Sequence, residues 1–387
     1  LRGAHLGDRV IIHAHGGDVT ATIIAIEGAH SILVPLDDSK RVTHGDVVEC
    51  LEFGDRTVLG TALCGRAVDG LGRPLDGDGA PDGVRLSVTR YLTAPPPSTR
   101  RALARPMWTG VRSIDALLTL AAGMRVGIFG PPGAGKSSLL HAISRGVRAD
   151  AVVVALIGER GAEAERHVAL LDARTTVVCA AADRSAGERI AAGELAMAQA
   201  ARLRECGLDV VLIFDSLARY AHAVREIALA AGEAPGRGGY PASVFARLAQ
   251  LCECAGATAD GSATLIATVL SDAVESGDPL AEAARSHIDG HLVLSRRRAE
   301  RGAFPAIEVP ASLSRPMPQV VDPAHLRAAQ TVRAALARLE ESREARELGV
   351  VPAEPAEPAL EAFLRQGSQQ ELIAGTLSAL YHLADRI

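Results

Sequence analysis

An α/β fold with a mostly parallel sheet and helices on both faces is predicted by three features of this 387-residue sequence. First, the apolar runs Ala151–Ile157, Thr175–Cys179, Asp209–Phe214 and Ala263–Val269 alternate with helical stretches. A strand that is apolar at every position is buried on both sides, the condition of a parallel sheet sandwiched between helices. Second, Gly130-Pro131-Pro132-Gly133-Ala134-Gly135-Lys136-Ser137 fills every position of the phosphate-binding pattern G-x-x-x-x-G-K-[ST]. Third, Arg125–Phe129 reads as a short buried strand and Ser138–Ile143 opens a helical pattern, so strand, loop and helix follow in the required order.

Taken along the chain, residues 1–63 carry short β-rich runs such as Val10–Ile12, Thr20–Ile26 and Ser31–Pro35 between Gly and Asp turns, which predicts a small antiparallel β-barrel. Residues 64–320 hold the α/β core. Residues 321–387, rich in Ala, Leu, Arg and Glu, read as a helical domain with helical stretches at His325–Arg346 and Ala359–Ile387. The proline-rich run 352–358 divides them.

Composition narrows the function classes. With 48% hydrophobic and 22% charged residues the chain has the makeup of a globular protein with a sizeable core. A formal charge of -5 leaves no overall basic footprint for nucleic acid. No apolar run reaches the roughly 18 residues of a membrane span and no signal-peptide pattern opens the chain, which points to the cytoplasm; Leu1 leaves open a segment before it. Six cysteines lack paired C-x₂-C spacing, so a zinc site is not expected, and Cys252 and Cys254 read as packing residues.

The loop chemistry points to a nucleoside triphosphate. A glycine-rich turn presents backbone N–H groups to the α- and β-phosphates, and the following helix aims its positive end at them. The cofactor-binding set is then Gly130, Pro131, Pro132, Gly133, Ala134, Gly135, Lys136, Ser137 and Ser138, with Lys136 reaching the β/γ-phosphates and Ser137 ligating Mg²⁺. Only two of the 41 basic residues are lysine, Lys40 and Lys136, and one stands where the motif requires it.

Hydrolysis needs acids at neighbouring strand ends. Asp215, directly after Asp209–Phe214, is the candidate Mg²⁺ ligand, with helix capping as its alternative role. Glu159, in Gly158-Glu159-Arg160-Gly161 past the run 151–157, is the candidate to orient the attacking water, against a plain solvated loop acid. Glu163 and Glu165 fall in the next helical stretch and read as a solvated face.

These motifs, with Thr109-Gly110-Val111-Arg112-Ser113-Ile114-Asp115, Asp215-Ser216-Leu217 and the run from Pro305 to Arg315, resemble the rotary F/V-type ATPase catalytic-subunit superfamily. Within it, the run Gly65–Gly77, Leu156–Gly161, Arg225-Glu226-Ile227 and Gly239–Phe245 resemble the ATPases of type III protein secretion and flagellar export. The resemblance implies a β-barrel, a RecA-like P-loop NTPase core and a helical domain, assembled as a homohexamer with ATP sites between subunits. It implies Arg315 as the arginine that completes a neighbour's site, Arg160 in the γ-phosphate pocket and Phe304 against adenine. For Phe304 core packing is the alternative, and for Arg315 a surface charge. The implied cofactors are ATP and Mg²⁺. The implied partners are stalk and stator proteins, secretion chaperones and exported proteins, at an export gate on the cytoplasmic face of the inner membrane.

Three positions depart from the export pattern: Gly161-Ala162-Glu163-Ala164, Gly123-Met124-Arg125 and Glu308. None removes a catalytic group. The activity implied is ATP hydrolysis coupled to chaperone release and unfolding of exported proteins by a type III secretion system. The alternatives are a flagellar export ATPase, a rotary synthase subunit, a nucleic-acid motor on the same core and a ring subunit without turnover.

Overall fold

The computed structural model describes residues 4–5, 7–37, 40–51, 56–169, 171–270, 277–352, 354–367 and 371–387. A nine-stranded sheet runs through its core. From one edge the order is Leu313–Ser314, Gly290–Val293, Arg125–Gly130, Ser262–Leu270, Asp209–Asp215, Ala151–Ile157, Thr175–Ala180 and Ala67–Val68. Every pairing on that path is parallel except the first. Gly256–Ala257 adds an antiparallel pairing on Ser262–Leu270. The mostly parallel sheet expected from the apolar runs is present, and those runs are its inner strands.

The reason for their continuous apolarity is visible in Ala151–Ile157. Val153, Ala155 and Ile157 join a core with helices Ala186–Glu205, Leu217–Ala230 and Ala242–Cys254. Val152, Val154 and Leu156 join a second core with helix Lys136–Gly146 and the C-terminal helices. Each fully buried Val, Leu or Ile contributes about 1.5–3 kcal/mol of transfer free energy, so a polar residue on either face of such a strand is costly. Helix Ala186–Glu205 starts at Ser185, whose hydroxyl accepts from the Glu188 amide at 3.0 Å. It approaches the sheet closely because Gly193 has no side chain: a Cβ there would lie 2.9 Å from Tyr220 and 3.0 Å from Phe214.

The N-terminal segment forms a four-stranded antiparallel sheet in the order His30–Pro35, Gly17–Glu27, Arg9–Ala14, Val47–Cys50. Val10, Ile12, Val19, Ala21 and Ile23 alternate along its strands to form its own small core. Strand Arg56–Val58 pairs separately with Arg85–Ser87.

The C-terminal part contains helices Pro323–Glu341, Arg343–Glu347, Glu357–Leu364 and Ile373–Ala384. The first is capped by Asp322, which accepts from the amides of Ala324 and His325 at 2.9 Å. The helical stretch expected over Ala359–Ile387 is built of two helices. Between them Arg365 turns to an extended backbone and the side chains of Gln366 and Glu371 are engaged by Arg112. Of the proline-rich run, Ala353 lies outside the described residues. Cys252 and Cys254 are buried in helix Ala242–Cys254, and all six cysteines are free thiols. Among the described residues no helix is long and apolar enough to cross a membrane, and no group of three or more potential metal ligands occurs.

Candidate active site

The C-terminal ends of adjacent parallel strands converge on one region, as crossover topology dictates for ligand sites in open α/β sheets. Strand Arg125–Gly130 ends in the glycine-rich loop, and Lys136 opens helix Lys136–Gly146. The loop turns through positive φ at Gly133 (80°) and Gly135 (88°), a region costly to other residues. Lys136 Nζ folds back over the loop and donates to the carbonyls of Gly130 at 2.6 Å and Pro131 at 3.0 Å. Ala134 is buried, whereas Pro132, Gly133, Ser137 and Ser138 are exposed and Pro131 is half-buried.

Asp215 is the last residue of strand Asp209–Asp215 and is 6% exposed. The helix cap that follows is made by Ser216, whose hydroxyl accepts from the Arg219 amide at 3.3 Å, so Asp215 is not spent on capping. Its Oδ1 accepts from the hydroxyl of Thr268 on the adjoining strand. Burial pushes its carboxyl up to about 6; the Thr268 hydroxyl and Lys136 oppose that shift, and the Glu159 and Glu163 charges add to it. A carboxylate held in this way, within electrostatic reach of Lys136, suits a hard divalent cation, which would favour its anion.

Glu159 follows strand Ala151–Ile157 by two positions and is mostly buried. Its Oε1 accepts from Nε of Arg219 at 2.9 Å. Arg160 is exposed at the start of helix Gly161–Val168. Glu163 corrects the expectation of a solvated face: it is half-buried, lines the nucleotide-side cleft and raises the Asp215 pKa. It stands in the first turn of helix Gly161–Val168, on the side that lines the cleft. Glu165 is exposed as expected.

A cleft of about 1090 Å³ opens beside the loop, lined by Gly135, Ser137, Ser138, Phe304 and Gln366 among others. Phe304 is not core: it is 44% exposed, and its ring sits where a Cβ on Gly135 would meet it at 3.3 Å. Behind it, the Gln366 amide nitrogen donates to the Phe304 carbonyl at 2.9 Å. The Gln366 side chain donates to Gly110 O at 2.8 Å and accepts from Arg112 N at 2.7 Å.

Arg315 stands apart from these groups. Ser314 pairs with Gly290, which pairs with Val126 at the start of strand Arg125–Gly130. The loop leaves the other end of that strand, four residue steps or roughly 13 Å farther along. Arg315 is exposed, with Nη1 donating to Ile288 O at 3.4 Å.

Four further residues support the site, of which only Asp115 stood in a motif, the run Thr109–Asp115. Thr268 and Arg219 hold the two acids, and Gln366 closes the cleft. Asp115 ties the turn before it, accepting from Thr109 N at 2.8 Å, Thr109 Oγ1 at 2.7 Å and Gly110 N at 2.9 Å. Thr268 carried a signal, a polar residue near the end of an apolar strand. Arg219 and Gln366 carried none.

Residues 110–314 match the family model described as ATP synthase alpha/beta family, nucleotide-binding domain. A type 3 secretion system ATPase of Pseudomonas syringae pv. tomato is 37% identical over 408 aligned residues, covering 100% of this chain and 91% of that protein. The chain belongs to the ATP synthase alpha/beta family. The family member of Xanthomonas euvesicatoria named a type 3 secretion system ATPase is 47% identical, over 73% of this chain and 65% of that protein. The chain therefore spans just under two thirds of that relative's length. A flagellum-specific ATP synthase of Pseudomonas aeruginosa is 42% identical over 85% of this chain and 74% of its own. Among solved structures, the assembled ATPase EscN of the enteropathogenic E. coli type III secretion system, in complex with its central stalk EscO, matches with a TM-score of 0.88 and 35% identity. That match covers 99% of this chain and 96% of the EscN chain.

Proposed function

We propose that this chain is the ATP hydrolase of a type III protein secretion system, acting as a ring of copies with ATP bound at subunit boundaries. The observation that carries it is the convergence of Lys136, Glu159 and Asp215 at the ends of three parallel strands, beside a cleft with an exposed aromatic ring. We further propose units at 1–63, 64–320 and 321–387, serving as ring-forming barrel, catalytic core and partner-facing helices.

In this mechanism the loop 130–137 and Ser138 cradle the phosphates and Phe304 stacks on the adenine. Ser137 and Asp215 hold Mg²⁺, which when bound neutralises charge on the β- and γ-phosphate oxygens. Lys136 and Arg160 offset the negative charge that develops on the transferring phosphoryl group. Glu159, held by Arg219, orients water for in-line attack. Arg315 lies too far from its own loop to join it and reaches the loop of a neighbouring copy, where it acts as the arginine finger. By analogy with EscN and its central stalk EscO, the ring binds a stalk protein. Stator proteins, chaperones and exported proteins are its other partners, at the cytoplasmic face of the inner membrane and without nucleic acid.

The test is ATP turnover against protein concentration for the wild type, Glu159→Gln and Arg315→Ala, with nucleotide binding followed in parallel. Cooperative activity that both variants lose by about 10²-fold or more while still binding ATP supports the proposal. Concentration-independent turnover that survives Arg315→Ala refutes the shared site. Complementation of a secretion-null strain, and not of a non-motile flagellar one, separates this system from the flagellar alternative.

A further inference from the structure

A second cavity, of about 440 Å³, lies between helix Arg296–Glu300 and the C-terminal helices Pro323–Glu341, Arg343–Glu347 and Glu357–Leu364. Its walls carry Arg297, Arg298, Arg301, Arg343, Arg346 and Arg365 against Glu308, Glu340, Glu357 and Glu361. Six guanidinium groups face four carboxyls, an excess of two positive charges with every acid ionised. The acids are already committed. Glu340 accepts from Arg297 at 3.0 Å and also from Arg343, Glu361 takes both Nη of Arg298 at 2.9 and 3.1 Å, and Glu357 lies 3.7 Å from Arg346. Burial and the Glu340 charge push the Glu308 carboxyl up, and the Arg298 and Arg297 charges oppose that shift.

Four of the six guanidiniums pair with these acids, yet the walls still hold two more positive than negative charges around an open volume, an imbalance that packing alone does not call for. Planar guanidinium forks match phosphoryl oxygens two at a time. The volume exceeds what a single phosphate needs and falls within the range of small-molecule sites, about 300–1,000 Å³. We propose that this cavity is a second anion site, distinct from the phosphate loop, that takes a small diphosphate-bearing molecule.

It shares a wall with the nucleotide cleft. Ala303 lines the cavity, and the next residue, Phe304, lies against Gly135. Arg365 lines the cavity, and the next residue, Gln366, holds the Phe304 carbonyl and the Gly110–Arg112 turn. An anion drawing Arg365 inward acts on the two residues that close the adenine end of the cleft. This coupling rests on the nucleotide role proposed for that cleft, whereas the binding itself does not.

The test titrates the full chain carrying Lys136→Ala, which disables the phosphate loop, with inorganic pyrophosphate and separately with ADP. Calorimetry reads binding. Saturable binding of pyrophosphate supports the site with a free diphosphate as ligand, and saturable binding of ADP alone supports it with a nucleotide as the source. In either case Arg365→Gln, at an exposed position, is expected to weaken binding at least tenfold with an unchanged melting temperature, and Arg343→Gln provides an independent second variant. No saturable binding of either probe to millimolar concentration overturns the proposal. So does binding that both arginine variants leave unchanged.

Discussion

Arg219 donates from Nε to Glu159 Oε1 at 2.9 Å, reaching from helix Leu217–Ala230 to the end of the neighbouring strand. The approach depends on Gly158, where a Cβ would lie 2.8 Å from Arg219 Cδ. Arg219 is thus a positioning residue that fixes the carboxylate proposed to orient water. A hydrogen bond to a charged group contributes about 1.5–3 kcal/mol, so Arg219→Ala is expected to lower kcat by about 10-fold or more with little change in KM for ATP. Arg219→Lys restores part of the rate, and Gly158→Ala reproduces the loss by displacing the arginine. Steady-state kinetics of the three variants check this; an Arg219→Ala enzyme with a wild-type kcat removes the positioning role.

The separation of Arg315 from its own phosphate loop makes a mixing experiment decisive. Arg315→Ala and Lys136→Ala are each expected to be inactive alone, since every boundary in either ring lacks one essential group. In a random one-to-one mixture roughly a quarter of the boundaries pair an intact loop with an intact arginine, so activity returns. No recovery in verified mixed assemblies would place the arginine in the same subunit as the site it serves, or outside catalysis.

Phe304 is 44% exposed, which separates its effect on binding from its effect on folding. Loss of an aromatic stacking contact is worth about 0.5–1.5 kcal/mol, so Phe304→Ala is expected to raise KM for ATP roughly 2- to 12-fold. Its thermal midpoint should stay near that of the wild type, and Phe304→Tyr should bind nearly normally. A large drop in stability without a KM change would return the ring to a packing role.

Asp76 offers a pH test of the loop Gly65–Gly77. The Arg66 guanidinium donates to it at 2.8 and 3.1 Å and the Ala67 amide at 2.9 Å, which holds its carboxyl at about 2, below the ordinary 3.8. Its side chain is only 7% exposed. A depressed acid stabilises the fold above its unfolded value, and that stability is lost as pH falls through the folded value. Asp76→Asn is therefore expected to cost about 2 kcal/mol at neutral pH, with the gap from wild type closing between about pH 4 and 2. Urea unfolding of both proteins across that range measures it, and a gap independent of pH would mean that geometry, not charge, holds the loop.

The second anion site makes a separate demand on the C-terminal helices. If it operates, Arg365→Gln alters ligand response without touching any group of the phosphate loop. Lys136→Ala does the reverse.

The strands and the phosphate loop were readable because their causes are local. An unbroken apolar run reports burial on both faces, and the glycines at 133 and 135 report backbone angles that other residues avoid. Asp215 and Glu159 were readable one step further on, because ligands gather at the C-terminal ends of parallel strands. The division of the last helical stretch was not readable. Its break around Arg365 to Glu371 is tied to Arg112, more than 250 residues earlier. Helical periodicity on either side of the break gives no sign of that contact. Glu163 was misjudged for a similar reason: a carboxylate on a short helix reads as solvated until the neighbouring strand supplies Asp215.

By itself the sequence determined the class of sheet, the nucleotide loop and the acids that follow its strands, since each depends on residues adjacent in the chain. Only the tertiary structure decided which groups act together. Arg219 meets Glu159 from 60 residues away, Phe304 lies on Gly135 instead of in the core, and Arg315 emerges at the far end of the sheet from its own loop. Those outcomes follow from the order in which the strands pair, and strand order is set by long-range packing that no window of sequence contains.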